Sequence, residues 1–200
     1  MRFILVRHGE TVWNQEHRLL GRTDQPLSPE GVRQARRVAA TLRGLPIAAL
    51  YSSPLRRALE TARPLAEAVG LPVRTDEALL EVDHGSAEGL TREELRARHP
   101  EFLTAWEVEP HAVRFPEGES AGDVQARAWG FAQALRQAHA RESVVAVTHN
   151  LVIKALVCRA IGLDLGAMRR LGQDPGGVTI LEFDGAEPQL VVLNSTAHLR

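Results

Sequence analysis

A short apolar run near the N-terminus is the feature that most constrains the fold of this chain. Residues 3–6 read Phe-Ile-Leu-Val, and Arg7, His8 and Gly9 follow directly. Four consecutive apolar residues that end at a glycine are typical of a strand buried on both faces, as in the centre of a parallel sheet. His8 would then lie at the carboxyl end of a central strand, which is the edge where open α/β sheets bind ligands.

A second stretch repeats this pattern near the other end of the chain. Residues 144–147 read Val-Val-Ala-Val, His149 follows after one threonine, and an apolar helical stretch comes next at 151–161. The sequence thus predicts two buried strands that each deliver a histidine to one edge of the sheet. Because Arg7 lies beside His8, the pattern indicates chemistry on an anion.

Helix start signals separate the other strand candidates. Ser28 followed by Pro29 is a typical N-cap with proline in the first turn, and residues 53–54 (Ser-Pro) are interpreted as a second helix start. A strand predicted at 47–52 lies between these helices, so the order is strand, helix, strand, helix. We expect one domain over residues 1–200, a three-layer α/β/α fold with a mainly parallel central sheet.

The second half of the chain gives further local predictions. Residues 73–80 are interpreted as extended, and residues 91–94 as a capping box that begins a short helix. Residues 100–118 are interpreted as irregular and as a candidate lid over the site, since long loops in compact domains are usually functional. A long helix over 120–139 and a C-terminal hairpin around residues 184–185 complete the expected fold.

Composition limits the classes of molecule that the chain is expected to bind. The formal net charge is -1 and there is no polybasic run, which disfavours nucleic acid and anionic membranes. Cys158 is the single cysteine, which excludes an internal disulfide and a thiolate-rich metal site. We expect a cytoplasmic protein, because no apolar run has the length of a membrane span and the first strand begins without a preceding signal peptide. The sequence does not determine the oligomeric state and is compatible with a homodimer.

The charged residues together predict a phosphate site. Arg56 and Arg57 lie in the first turn of the helix that follows Ser53. Arginine binds phosphate oxygens bidentately, helix N-termini offer free N–H groups, and a neutral histidine can attack phosphorus. The sequence contains no Walker glycine loop, no aspartate cluster for magnesium and no Cys-x5-Arg loop, so we expect neither a metal nor a cofactor. An acid must protonate the leaving oxygen, and Glu81, Asp83 and Glu88 are all candidates by spacing.

The motifs resemble those of the histidine phosphatase superfamily, the phosphoglycerate-mutase-like enzymes. Arg-His-Gly-Glu-Thr at 7–11 resembles the family signature, Ser-Pro-x-x-Arg-Ala at 53–58 resembles a second motif, and residues 80–89 resemble the family's glutamate motif. Gly21 and residues 24–27 match a further motif. Because these stretches follow in the family's order, the resemblance covers nearly the whole chain and implies a phosphoglycerate-mutase-like fold.

The resemblance implies a role for each matched residue. It makes His8 the nucleophile and Glu81 the acid, and it singles out Arg57 over Arg56. The predicted catalytic set is His8, Glu81, Arg7, Arg57 and His149. The predicted substrate-binding set is Arg7, Asn14, Arg57, His149 and Asn150. The chain departs from the family at four positions: Leu20 replaces a usual glutamine, His84 an aromatic residue, Ala87 a tryptophan and Asn150 a glycine. These departures leave the charged catalytic positions intact and alter the pocket wall, so they bear on the substrate.

The expected activity is metal-independent hydrolysis of a small phosphorylated metabolite through a phosphohistidine, that is, a phosphoric monoester hydrolase of the histidine acid phosphatase type. A cofactor-dependent phosphoglycerate mutase is the alternative, disfavoured because such mutases tend to be longer and to carry a C-terminal tail. Two alternatives belong to other classes. One is a phospho-ligand binding module without turnover. The other is a serine esterase, because residues 118–122 fit Gly-x-Ser-x-Gly; Ser120 is interpreted instead as an N-cap with Asp123, since no buried strand precedes it.

Overall fold

The computed structural model describes residues 1–185 and 187–200, and a six-stranded sheet forms its centre. The strands are β1 (Arg2–Arg7), β2 (Ile47–Ser52), β3 (Val73–Thr75), β4 (Ser143–Thr148), β5 (Val178–Glu182) and β6 (Gln189–Ser195). Their order is β3-β2-β4-β1-β5-β6. The first four strands pair in parallel, β5 runs antiparallel to β1, and β6 runs antiparallel to β5. The predicted mainly parallel sheet is confirmed.

Helices cover both faces of this sheet. They are α1 (Val12–Gln15), α2 (Pro29–Leu42), α3 (Arg56–Val69), α4 (Arg92–Arg98), α5 (Pro100–Val108), α6 (Ala121–Ala138) and α7 (Asn150–Ala160). Short 3-10 turns lie at Glu77–Leu79, Gly85–Ala87, Leu165–Arg170 and Ala197–Leu199. Among the residues that the structure describes, no helix combines the length and the hydrophobicity that a membrane crossing requires.

The alternation of side chains along β1 explains why residues 3–6 are all apolar. Phe3 and Leu5 pack into the apolar core that α6 and α7 share with one face of the sheet. Ile4 and Val6 point to the opposite face and pack with α2 and α3. Successive side chains of a strand point to opposite faces, so a strand between two helical layers needs apolar residues at every position. The three-layer architecture is therefore the one predicted.

Three of the predicted helix starts are confirmed, at Ser28, Thr91 and Ser120, and one is wrong. Ser28 caps α2 by accepting a hydrogen bond from the Gly31 N–H, and the capping box at residues 91–94 begins α4. The helix expected to start at Ser53 begins instead at Arg56, after a Leu55 N-cap that has no capping side chain. Ser53 extends the sheet instead, since its N–H donates to the Val147 carbonyl of β4. Its hydroxyl lies 2.8 Å from a histidine at the sheet edge and accepts a hydrogen bond of 3.4 Å from the Leu55 N–H, before the helix.

Residues 100–118 are not irregular throughout, since Pro100–Val108 forms α5. Proline stands at the first position of this helix, where its missing N–H costs nothing. Phe102 and Trp106 are four residues apart on one face and pack around Phe115, with ring centroids 4.7 and 4.6 Å from it. Tertiary packing of aromatic side chains thus stabilises a helix that the local pattern did not reveal. The lid function of this segment stays a prediction.

The other two local predictions hold in part. Within residues 73–80 only Val73–Thr75 is a strand, because the Asp76 side chain accepts a hydrogen bond from the Ala78 N–H and caps a 3-10 turn. The C-terminal pairing of β5 with β6 is antiparallel, as expected. Their connection includes residue 186, which lies outside the described residues.

Candidate active site

Three neighbouring parallel strands deliver the candidate residues to one edge of the sheet. Beyond the end of β1, the His8 N–H donates a hydrogen bond of 2.9 Å to the Thr148 carbonyl at the end of β4. Beyond the end of β2, the Ser53 N–H donates a hydrogen bond of 2.9 Å to the Val147 carbonyl. His8, His149 and Ser53 therefore meet at the carboxyl edge, and the rings of the two histidines have centroids 5.1 Å apart.

His8 is held as a neutral imidazole with one nitrogen available. Its Nδ1 lies 2.7 Å from the carbonyl oxygen of Gly9, which only accepts hydrogen bonds, so Nδ1 carries the proton. Burial, together with the charges of Arg57 and Arg7, holds the pKa of His8 well below its usual range. The remaining nitrogen, Nε2, therefore carries a lone pair at neutral pH, which is the form of histidine that can act as a nucleophile.

His149 is oriented by Ser53. Its Nε2 lies 2.8 Å from the Ser53 hydroxyl, while its Nδ1 is buried and has no partner among the described residues. If the hydroxyl donates, the ring must carry its proton on Nδ1, which becomes a buried donor aimed at no protein acceptor. Burial and then the charge of Arg57 hold the pKa of His149 well below its usual range, so the ring is neutral as well.

Arg57 is completely buried, which is rare for an arginine. Its Nη1 and Nη2 donate to the carbonyls of Thr23 and Gly21 at 3.0 and 2.5 Å, and its Nε is buried without a partner among the described residues. Burial lowers the pKa of Arg57 to about 10, while the charges of Glu81 and Glu88 oppose this shift. The guanidinium is therefore still charged at neutral pH.

Arg7 supplies a second guanidinium beside His8. Its Nη1 donates to the backbone carbonyl of Gln173, and its Nε is buried without a partner among the described residues. The Gln173 side chain is itself fixed, because its Oε1 accepts a hydrogen bond of 2.9 Å from the Thr179 hydroxyl. Within residues 1–185 and 187–200, no carboxylate oxygen lies within 4.0 Å of a side-chain nitrogen of Arg7 or Arg57.

These unpaired groups define an anion site. Buried polar groups in folded proteins are almost always hydrogen-bonded, and buried charges are almost always paired. Arg7 Nε, Arg57 Nε and His149 Nδ1 break this rule together, around one neutral histidine. A tetrahedral oxyanion such as phosphate supplies both the missing acceptors and the missing negative charge.

Glu81 provides a buried carboxyl group at the same site. Its Oε1 accepts a hydrogen bond of 3.0 Å from the Val82 N–H, and its Oε2 accepts one of 3.3 Å from the Leu151 N–H in the first turn of α7. Burial raises the pKa of Glu81, although these N–H groups and the charges of Arg57 and Arg7 oppose the shift. A carboxyl with a raised pKa is suited to donate a proton near neutral pH.

The two other candidate acids are engaged elsewhere. Asp83 accepts a hydrogen bond from the Gly85 N–H and lies 3.6 Å from Arg22. Glu88 accepts hydrogen bonds from the Gly21 and Arg22 N–H groups at 3.2 and 2.7 Å, and so it holds the loop whose carbonyls bind Arg57. The geometry therefore distinguishes among three carboxylates that spacing alone left open.

Comparison with known proteins identifies the family. The family model of the histidine phosphatase superfamily, branch 1, matches residues 3–196. The chain belongs to this superfamily. Phosphoserine phosphatase 1 of Hydrogenobacter thermophilus is 36% identical over 199 residues, which cover 100% of this chain and 94% of that protein.

Solved structures of the superfamily share the fold. Bacillus stearothermophilus YhfR has a TM-score of 0.93 at 34% identity, covering 100% of this chain and 99% of that one. A mycobacterial glucosyl-3-phosphoglycerate phosphatase complexed with VO3 has a TM-score of 0.88 at 32% identity, covering 98% and 99%. The predicted family and the predicted phosphoglycerate-mutase-like fold are thus confirmed.

The two predicted asparagines lie in the first turns of α1 and α7. Asn14 is in α1, and its Oδ1 accepts hydrogen bonds of 3.0 Å from both the backbone N–H and the hydroxyl of Thr11. This leaves its amide donors for another partner. Asn150 is the first residue of α7, directly after His149. The substrate-binding roles of both asparagines stay predictions.

Sequence reasoning missed residues that hold the superfamily motifs in place. Thr61 accepts a hydrogen bond of 3.0 Å from the Gly9 N–H and donates one of 2.7 Å to the Arg57 carbonyl, so it joins α3 to the histidine loop. A polar residue four positions after Arg57, on an apolar helix face, was the available signal. Gln173 gave no such signal, because its contact with Arg7 uses the backbone.

Ser120 is not placed as the nucleophile of an esterase. Among the described residues no strand leads into it, and its hydroxyl caps α6 in a capping box with Asp123. We expect Ser120→Ala to lower the free energy of unfolding by about 1 kcal/mol, the usual value of an N-cap, and to leave phosphatase turnover unchanged. Urea denaturation and steady-state assays measure the two effects. An esterase activity that disappears in this variant would contradict the assignment, and Asp123→Ala serves as the matched cap variant.

Buried histidines make the stability of the protein depend on pH. Burial lowers the pKa of His8, His84 and His149, in His84 to about 4. Below the unfolded pKa of about 6.5, the unfolded chain therefore binds protons that the folded chain excludes, and stability is lost. Glu81 has a raised pKa and acts in the opposite direction, but it is one group against four, since burial also lowers the pKa of His198.

We therefore expect the free energy of unfolding to fall between pH 7.5 and pH 5.0. Urea denaturation in phosphate-free buffer at several pH values measures this change. His84→Gln should flatten the dependence, since it removes one of the protons that are taken up on unfolding. An unfolding free energy that stays constant or rises on acidification would contradict the buried neutral state of these rings.

Proposed function

We propose that the protein is a metal-independent phosphomonoester phosphatase that works through a phosphohistidine at His8. The observation that carries this proposal is the buried charge of Arg57, together with the half-buried Arg7 whose Nε is buried, without a carboxylate partner in the described residues. Removing the partner of a buried charge typically costs several kcal/mol, so such a site is built for an anion that comes and goes. A neutral Nε2 beside this anion site supplies the nucleophile.

In the first step, His8 attacks the phosphorus of the bound monoester. The Nε2–P bond forms while the bond from phosphorus to the alkoxide oxygen breaks. Arg7, Arg57 and His149 Nδ1 donate to the non-bridging oxygens, whose charge they stabilise in the transition state. Glu81 in its protonated form gives its proton to the departing oxygen, so that the product leaves as an alcohol.

In the second step, water attacks the phosphohistidine. The Glu81 carboxylate takes a proton from the water as its oxygen bonds to phosphorus, and the Nε2–P bond breaks to regenerate neutral His8. Inorganic phosphate then leaves the site. One carboxyl group thus serves as acid in the first step and as base in the second. We assign this activity to the histidine acid phosphatase type and place the protein in the cytoplasm.

The substrate that we propose is a small phosphorylated metabolite. Support comes from the names of two relatives, phosphoserine phosphatase 1 and glucosyl-3-phosphoglycerate phosphatase, which describe hydrolysis of small phosphate esters. Asn14 and Asn150 would contribute to binding the phosphate at the two sides of the site. We also propose that residues 100–118 act as a lid over the site. Their aromatic cluster contacts the glutamate motif at residues 80–89, since the ring centroids of Phe115 and His84 are 4.5 Å apart.

Rapid quench with a 32P-labelled phosphomonoester in the presence of EDTA tests the mechanism. We expect protein-bound phosphate that is labile in acid and stable in base, as a phosphohistidine is, and release of inorganic phosphate on longer incubation. Phosphate that is stable in acid, or loss of turnover in EDTA, would overturn the proposal. Conversion of 3-phosphoglycerate to its isomer with added bisphosphoglycerate would favour the mutase, and vanadate binding without any hydrolysis would favour a binding module.

A further inference from the structure

We propose that Arg127 and Glu119 form a brace that positions Glu81 for proton transfer. This inference rests on the proposed role of Glu81 as the acid and base of the reaction. Neither residue lies in the family motifs at residues 7–11, 53–58 and 80–89, and Glu119 lies inside the stretch that resembled a serine elbow. Both act through the backbone around Glu81, so they are positioning residues.

Arg127 holds the chain at and before Glu81. It lies on α6, and its Nη1 donates a hydrogen bond of 2.8 Å to the Ala78 carbonyl. Its Nη2 donates one of 3.1 Å to the carbonyl of Glu81 itself. One rigid guanidinium therefore fixes two backbone positions three residues apart, which the planar fork of arginine can do and a lysine cannot.

Glu119 holds the chain after Glu81. Its Oε2 accepts a hydrogen bond of 3.0 Å from the Asp83 N–H, and its own N–H donates one of 2.9 Å to the Asp83 carbonyl. Its carboxylate also pairs with Arg127, with Nε to Oε1 at 3.3 Å and Nη2 to Oε2 at 3.2 Å. The two side chains thus hydrogen-bond to the backbone on both sides of Glu81 and to each other.

This ion pair is sheltered from solvent. The side chains of Arg127 and Glu119 are only 20% and 17% exposed. Most ion pairs at protein surfaces contribute little, because solvent screens them, whereas sheltered charges with several hydrogen bonds are geometrically well defined. Arg22 also lies 3.2 Å from Glu119, but it is more exposed and, within the described part of the chain, its side chain makes no hydrogen bond to the backbone of residues 78–81.

The backbone beside Glu81 is also held by the core packing of Leu79 and Val82 and by the Thr148 hydroxyl, which donates a hydrogen bond of 2.7 Å to the Leu79 carbonyl. Among the described residues, however, only Arg127 donates to the Glu81 carbonyl itself. Residues 80–84 form neither a helix nor a strand. The Glu81 carboxyl also accepts a hydrogen bond from the Leu151 N–H at the start of α7. Proton transfer requires the donor within hydrogen-bond reach of the departing oxygen, and a displacement of about 1 Å can cost on the order of 10²-fold in rate. The brace therefore contributes to the position of this carboxyl.

The leaving group of the substrate distinguishes this role from a merely structural one. A weakly basic leaving group such as 2,4-dinitrophenolate departs without a proton. Phenolate is more basic and therefore depends more on a proton from the acid. Loss or displacement of the acid therefore slows phenyl phosphate much more than 2,4-dinitrophenyl phosphate. General damage to the fold slows both substrates equally. The test compares kcat/KM for these two substrates across a set of variants, because kcat/KM reports the phosphorylation step, whereas kcat also includes the second step, in which Glu81 acts as base for every substrate.

We expect Arg127→Met to lower kcat/KM for phenyl phosphate by about 10-fold and kcat/KM for 2,4-dinitrophenyl phosphate by less than about 2-fold, a part of the roughly 10²-fold or larger contribution of a general acid. Vanadate binding should change little, because Arg7 and Arg57 are untouched. Glu119→Gln keeps an acceptor for the Asp83 N–H and should show a smaller effect of the same selectivity. Arg127→Lys should restore less than half of the loss, since one ammonium cannot reproduce the fork.

Arg136→Met is the matched control. Arg136 lies on the same helix and also donates to a backbone carbonyl, that of Gly185, away from the site. It should leave kcat/KM for both substrates unchanged. If Arg127→Met fails to fold, Glu119→Gln carries the test with the same two substrates.

The reference variant Glu81→Gln separates the two proposals. If Glu81→Gln shows no dependence on the leaving group, then Glu81 is not the acid, and the brace proposal falls with the proposed mechanism. If Glu81→Gln shows a strong dependence while Arg127→Met and Glu119→Gln slow both substrates equally, the brace alone is wrong. Selective loss in all three variants supports both.

Discussion

His8→Ala is expected to abolish turnover of phosphomonoesters. Loss of the nucleophile should lower kcat on the order of 10⁴-fold or more, the scale found when a covalent nucleophile is removed from an enzyme. The physical reason is that His8 presents an unprotonated ring nitrogen, Nε2, beside the anion site, because the Gly9 carbonyl fixes the proton on its other nitrogen. Steady-state hydrolysis of 4-nitrophenyl phosphate and rapid-quench labelling measure the effect.

The anion site should survive this substitution. Arg7, Arg57 and His149 remain in place, so vanadate should still bind to His8→Ala, as measured by calorimetry, while covalent labelling disappears. His139→Ala provides a control, because His139 lies at the end of α6 next to Glu142 and outside the site. Covalent phosphate on His149 in the wild-type protein would move the nucleophile from β1 to β4 and contradict the assignment.

The sequence predicted the centre of the fold because two constraints coincide there. Residues 3–6 and 144–147 must be apolar at every position, since β1 and β4 are covered by helices on both faces. Parallel strands bring their carboxyl ends to one edge of the sheet, so the apolar pattern alone assigns the residue that follows each strand to that edge. The meeting of His8 and His149 is a consequence of this rule.

The wrong predictions arose where a local signal competed with a tertiary one. Ser53-Pro54 has the composition of a helix start, yet Ser53 extends the sheet and binds His149, so the helix begins three residues later. Residues 100–118 are rich in proline and aromatic residues, and no local rule shows that Phe102 and Trp106 will pack around Phe115. Such contacts depend on which segments the fold brings together.

The supporting residues of the site were also beyond local rules. Gln173 and Arg127 act on the active site through backbone carbonyls, and a carbonyl carries no sequence signal. Their partners lie far away in the chain, so periodicity and spacing give no information on them. The charged residues of the site lie in recognisable sequence motifs, whereas the residues that hold those motifs in place do not.

Substitution of Arg57 is the second change for which we expect a large loss of activity, and its neighbour Arg56 provides the matched control. Arg57 is completely buried and binds the carbonyls of Gly21 and Thr23, whereas the Arg56 side chain is 58% exposed and pairs with Glu60 on the surface of α3. We expect Arg57→Met to lower kcat/KM by about 10² to 10³-fold, the usual cost of losing one donor to a developing oxyanion. Arg56→Met should change kcat/KM by less than about 2-fold, since an exposed ion pair contributes little.

Binding of inorganic phosphate gives a readout of Arg57 that does not depend on turnover. An anion that binds only the folded state stabilises it, by about 2.7 kcal/mol at a concentration 100-fold above Kd. Phosphate should therefore raise the melting temperature of the wild-type protein and of Arg56→Met, while the shift should be largely lost in Arg57→Met. A full shift in Arg57→Met, or its loss in Arg56→Met, would mean that the buried guanidinium is not the group that meets the anion, and that its unpaired charge has another explanation.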